Sequence, residues 1–78
     1  MATLTNKTIT VFAETVEFDD IMLHVELTDG RIISVPMEWF PTLRNATKKE
    51  RNDWRLIGKG IGIHWNKLDE DISINALL

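Results

Sequence analysis

The sequence predicts an α+β fold: a small antiparallel sheet of about four strands with one or two short helices, in a single domain over residues 1–78. Three observations point there. Alternating and β-branched apolar residues fill most of the stretch from Thr8 to Met37, the period-two signature of half-buried strands. A capping-box pattern, Thr47-Lys48-Lys49-Glu50, marks a helix start only after those strands. No internal repeat, linker or low-complexity tract divides the chain, and strands followed by helix is an α+β ordering.

Thr8 to Phe18 reads as the first strand, broken at Asp19-Asp20. Ile21, Leu23, Val25 and Leu27 alternate with Met22, His24 and Glu26 as a second strand, and Arg31 to Met37 returns as a third. The apolar pattern selects the register between them. A two-residue Asp29-Gly30 turn pairs Val25 with Ser34 and puts polar groups on the apolar face. A three-residue loop, with Gly30 left-handed in a G1 bulge, pairs Val25 with Ile33, Leu23 with Val35 and Ile21 with Met37, so every inward pair is apolar. Pro41 suits the first position of a short helical turn through Leu43 or Arg44. The capping box then starts a helix from Lys48 to about Arg55. Ile57 to Trp65 reads as the fourth strand, with Ile61, Ile63 and Trp65 on one face and Gly60, Gly62 and His64 on the other. Glycines on one face admit a second backbone or a large ring such as Trp39, Trp54 or Phe12. Ser73 is placed to cap a last turn ending at Leu77 and Leu78.

Composition narrows the function classes. The chain has 78 residues, 44% of them apolar, and no cysteine, so thiolate metal sites and disulfide staples are excluded. A domain this small without staples often leans on a partner or on a second copy of itself. No run approaches the roughly 20 apolar residues of a membrane span, and a soluble cytoplasmic protein is expected. The net charge is −3 but unevenly placed: residues 1–43 carry −5, residues 44–67 carry +5 and residues 68–78 carry −3. Such polarity suits steering of a charged protein partner, and equally describes a mid-chain helix with a solvated basic face.

The candidate chemistry is sparse. Gly58-Lys59-Gly60-Ile61-Gly62 fits neither a dinucleotide fingerprint nor a P-loop and reads more simply as a close-packed strand. Asp69, Glu70 and Asp71 are consecutive, unlike the alternating oxygens of a calcium loop, and His24 and His64 share no metal-ligand spacing. Ser34 and Ser73 lie outside any nucleophile-elbow context. A non-enzymatic protein without cofactor or metal is expected. Lys48, Lys49, Arg51, Arg55 and Lys59, with Trp54 as a stacking ring, form a basic strip that nucleic acid would recognise, against the overall acidity of the chain.

Asp29-Gly30-Arg31, Val35-Pro36, Trp39-Phe40-Pro41, Leu43, Ala46-Thr47, Glu50-Arg51, Trp54, Gly58, the run Gly60 to Trp65 and the run Leu68 to Ser73 occur in an order that resembles the prokaryotic and phage family called domain of unknown function 2442. The resemblance implies a small α+β domain. It also implies an antitoxin-like partner of another short protein, and it supplies no catalytic residues. Some relatives append a helix-turn-helix domain, a pattern that is not found in this sequence.

The expectation is therefore a protein-interaction module that occludes a partner's working surface. Trp65 is expected as an aromatic anchor beside Asp69, Glu70 and Asp71, facing a basic toxin-like protein. The plainer alternative puts Trp65 in the core and the acids in a turn. A nucleic-acid regulator using the Lys48–Lys59 strip, a phage inhibitor of a host defence protein, and a homo-oligomer remain as alternatives.

Overall fold

Six short strands form two three-stranded antiparallel sheets in the computed structural model, which describes residues 11–78. The first sheet holds β1 (Ala13–Phe18), β2 (Met22–Leu27) and β3 (Ile32–Pro36) in sequential order. A 3₁₀ turn (Met37–Trp39) and two single-turn helices, α1 (Pro41–Arg44) and α2 (Lys48–Arg51), lead to the second sheet. That sheet holds β4 (Trp54–Ile57), β5 (Gly62–Trp65) and β6 (Glu70–Ser73), and α3 (Ile74–Leu77) follows it. The α+β class stands, while the single sheet of about four strands is corrected to two sheets of three. Residues 8–10 of the expected first strand lie outside the described residues.

The β2–β3 hairpin has the register that the apolar pattern selects. Val25 opposes Ile33 and Leu23 opposes Val35, and Gly30 takes φ +94° at the bulge. Ile21 departs from the expectation. Its carbonyl accepts from Met37 N at 2.9 Å, but its side chain points to solvent, 67% exposed, while Met37 is buried. The cause is local: Asp19 Oδ1 accepts from Ile21 N and Met22 N at 2.8 and 2.6 Å, an Asx turn that ends strand geometry before Met22. A bulge between Ala13 and Thr15 lets both Ala13 and Val16 face inward.

The expected fourth strand, Ile57 to Trp65, is a hairpin. Gly58 at φ +58° and Gly60 at φ +111° reverse the chain between Ile57 and Gly62. Gly60 also permits the close backbone approach anticipated for these glycines: its carbonyl accepts from Ala13 N at 2.8 Å, and a Cβ there would sit 2.3 Å from Ala13 O and 3.1 Å from Phe12 Cβ. This contact ties the second sheet to the start of the first. The capping box forms in full, yet α2 stops at Arg51 and not near Arg55. Trp54 and Arg55 begin β4 instead, with Trp54 opposite Trp65. Ser73 holds the N-cap position of α3 without a side-chain capping bond.

One apolar core joins the sheets. Val16, Leu23, Val25, Leu27 and Val35 come from the first sheet, and Ile63, Trp65 and Ile72 from the second. Met37 and Leu43 close it from the segment between the sheets, and Ile74 from α3. Phe18 meets Trp65 edge-on with ring centroids 6.3 Å apart, a favoured aromatic geometry. Among the described residues no helix is long and apolar enough to cross a membrane.

Candidate functional site

Trp65 is fully buried, and its indole Nε1–H donates to Arg51 O at 2.9 Å. It is a core residue that satisfies the end of α2, so the expectation of Trp65 as a surface anchor is corrected. Its place is set by register: with Ile63 and Trp65 alternating on β5, both point into the space between the sheets.

The three acids do not form one face. Asp69 closes the β5–β6 turn at φ +51°, a left-handed conformation that aspartate tolerates better than most residues. Glu70 opens β6 opposite Trp65, and Asp71 lies opposite His64. Successive strand residues point to opposite sides, so Glu70 and Asp71 diverge. Asp71 is also engaged, its Oδ1 hydrogen-bonded to His64 Nδ1. On the outer face of the second sheet Arg55, His64 and Asp71 occupy one cross-strand row.

The basic strip is likewise divided. Arg51 Nε donates to Leu43 O at 2.8 Å and its Nη2 to Arg44 O at 2.7 Å, so this guanidinium caps α1. Lys49 lines a surface cavity of about 440 Å³ with Glu50, Asn52, Asp53 and Lys67. Lys48 lines a separate one of about 220 Å³ with Phe18, Asp19, Asp20, Arg51 and Asn52. Trp54 is half-buried and packs against the core. Arg55 and Lys59 are exposed, on β4 and on the turn that follows it.

Two features escaped the sequence reading. One is a chain of side chains on the outer face of the first sheet: Asp19 Oδ2 meets His24 Nε2 at 2.8 Å, and His24 Nδ1 meets Ser34 Oγ at 2.6 Å. The His24 hydrogen bond, followed by those from Ile21 and Met22 amides, lowers the Asp19 pKa from 3.8 to about 2. The composition is that of a hydrolase triad, but the ring is reversed: such sites put the nucleophile on Nε2 and the acid on Nδ1. Glu17 and Glu26 share a shallow cavity of about 130 Å³ with His24, and their charge opposes a developing oxyanion. The chain of bonds instead fastens the β1–β2 turn to β3. Its signal was present in the predicted register, which already set His24 opposite Ser34.

The second feature is Trp39. It ends the 3₁₀ turn 63% exposed; the first residue of that turn, Met37, donates its amide to Ile21 O at 2.9 Å, and Ile21 is 67% exposed. Asp20 and Glu38, both exposed, are their sequence neighbours. Trp39 is thus an exposed indole, in contrast to the buried Trp65. Its only sequence signal was position, directly after β3 and before Pro41, where neither strand nor helix alternation assigns a facing.

Comparisons with known proteins give a family and a fold. The family model described as "Protein of unknown function (DUF2442)" matches residues 13–78. A crystal structure of a protein of unknown function from Rhodospirillum rubrum ATCC 11170 is similar at a TM-score of 0.75 and 25% identity, over 88% of this chain and 86% of that one. No curated protein matches.

Proposed function

Since the chain belongs to the DUF2442 family of proteins of unknown function, we propose from its own surface that it is a non-enzymatic protein-interaction module, an antitoxin-like or regulatory partner that occludes a basic surface on another protein. The observation that carries this reading is Trp39, 63% exposed at the end of the 3₁₀ turn whose Met37 amide bonds Ile21 O, with Ile21 itself 67% exposed. Leaving an indole in water forgoes the burial of a side chain that, with the other aromatics, dominates interface energetics. Asp20 and Glu38, the exposed sequence neighbours of Ile21 and Trp39, add negative charge to these two segments, which favours a basic partner and repels an acidic one. Occlusion requires only shape and charge, and both are available on this surface without any reacting group.

The test begins with affinity capture at moderate salt, followed by calorimetry on the purified partner. Trp39→Ala should weaken binding by at least about 30-fold, the scale of an interfacial hot spot. Asp20→Asn with Glu38→Gln should flatten the salt dependence. A variant carrying Asp69→Asn, Glu70→Gln and Asp71→Asn serves as the comparison for the other acidic segment. Undiminished affinity in Trp39→Ala, with thermal stability unchanged, would sink the proposed surface.

A further inference from the structure

We propose that the open edge of β3 pairs with the same edge of a second copy, joining two first sheets into one antiparallel sheet of six strands. The ladder's phase exposes this edge. Leu27 N donates to Arg31 O at 2.8 Å, and Val25 opposes Ile33, so Ile33 and Val35 direct their backbone groups to β2. Ile32 and Ser34 therefore direct theirs away from β2, where no described strand pairs with them.

The other outer strands carry the usual protections of an edge. β1 has Glu14, Glu17 and a bulge, and Ala13 N at its start is bonded to Gly60 O. β4 carries Arg55, and β6 carries Glu70 and Asp71. β3 alone, Ile-Ile-Ser-Val-Pro, has no ionisable side chain, and its Ile32 is 63% exposed. An uncharged, unbulged edge with an exposed isoleucine is a template for strand addition unless something covers it.

A second copy fits for a reason of symmetry. A two-fold axis at Ser34 puts Ser34 opposite its own counterpart, Ile33 opposite Val35 and Ile32 opposite Pro36. No like charges meet in this register. Each Ser34 exchanges both backbone bonds, and each Ile32 N–H reaches the partner's proline carbonyl. Pro36 lacks a donor and ends the ladder, which fixes the register. The partner's proline ring also covers Ile32, the most exposed apolar group on the strand.

Sedimentation velocity over a wide concentration range, paired with residue-resolved amide exchange, tests this on the full chain. The wild-type protein should form a concentration-dependent dimer in which the Ser34 amide is protected. Ser34→Lys sets two like charges against each other across the axis. Ile32→Pro removes a donor that β2 does not use, at the first strand position, where proline is tolerated. Each variant should lose the dimer while keeping its circular dichroism spectrum. Three results would overturn the proposal: a monomer at millimolar chain, a dimer that survives in both variants, or a dimer with a freely exchanging Ser34 amide. A monomer with Ser34 protected would place residues 1–10 or another segment on the edge, and would overturn it equally.

Discussion

Gly60→Ala separates backbone clash from backbone strain in this fold. Gly60 sits at φ +111°, and a Cβ there would lie 2.3 Å from Ala13 O and 3.0 Å from Ala13 N. Both contacts are backbone atoms of a residue that is itself buried, so no flexible side chain can yield. The φ strain costs about 1–3 kcal/mol. Displacing Ala13 also breaks its 2.8 Å bond to Gly60 O, a loss of about 1 kcal/mol. With distortion of the core around Ala13, the whole effect is roughly 3–5 kcal/mol. A 78-residue domain has a stability of roughly 4–12 kcal/mol, so the variant would sit near the edge of folding. Gly30 is the control. Its φ of +94° is similarly closed to alanine, but a Cβ there meets nothing within 4 Å. Gly30→Ala should therefore cost only the strain, about 1–2 kcal/mol. Urea denaturation followed by the fluorescence of buried Trp65 measures both. Equal losses in the two variants would refute the close approach of the β4–β5 turn to β1.

Three further outcomes are expected. Asp69→Gly should stabilise the fold by roughly 0.5–1 kcal/mol, because glycine relieves the φ of +51° in the β5–β6 turn; a lower melting temperature would contradict this. Asp19→Asn should destabilise the protein most above about pH 4. The folded pKa of about 2 lies below the reference 3.8, so this contribution is complete above the unfolded value and fades as pH falls through the folded one. Melting curves from pH 6 down to about pH 2 should show the gap to wild type closing, and a constant gap would remove Asp19 from the pH response. Trp65→Phe should cost roughly 1–3 kcal/mol by leaving Arg51 O without its indole donor, measured by chemical denaturation, and a neutral result would place Trp65 outside the core.

Legibility in the sequence followed how many constraints converged on each segment. The β2–β3 hairpin was readable because a one-residue slip would turn Leu23, Val25, Ile33 and Val35 toward water, so pattern and turn chemistry agree. The capping box was readable because it is a local reciprocal pair, Thr47 Oγ1 with Glu50 N and Glu50 Oε1 with Thr47 N. Its helix length was not. What ends α2 is the demand that Trp54 stand opposite Trp65, a partner eleven residues away. The second sheet was missed for a related reason. Gly58 to Gly62 alternates glycine with longer residues, which mimics one face of a strand, and only the signs of φ reveal a reversal.

At the candidate site, neighbours in sequence are not neighbours in space. The sequence sets an indole four residues before three consecutive acids. A strand separates what the sequence puts side by side: Trp65 goes inward, Asp71 goes outward to His64, and Asp69 is held in the turn. The same geometry joins what the sequence keeps apart, since Asp19, His24 and Ser34 meet across three consecutive elements. Trp39 follows neither rule, because a 3₁₀ turn outside both sheets has no alternating face to assign. Its exposure is set by what surrounds it in the fold: Met37 and Leu43 fill the core from either side, and the indole between them is left outside. A contact surface assembled from such leftover positions is legible only after the core is known, which is why Trp39 and Ile21, and not the acidic run, carry the proposed interface.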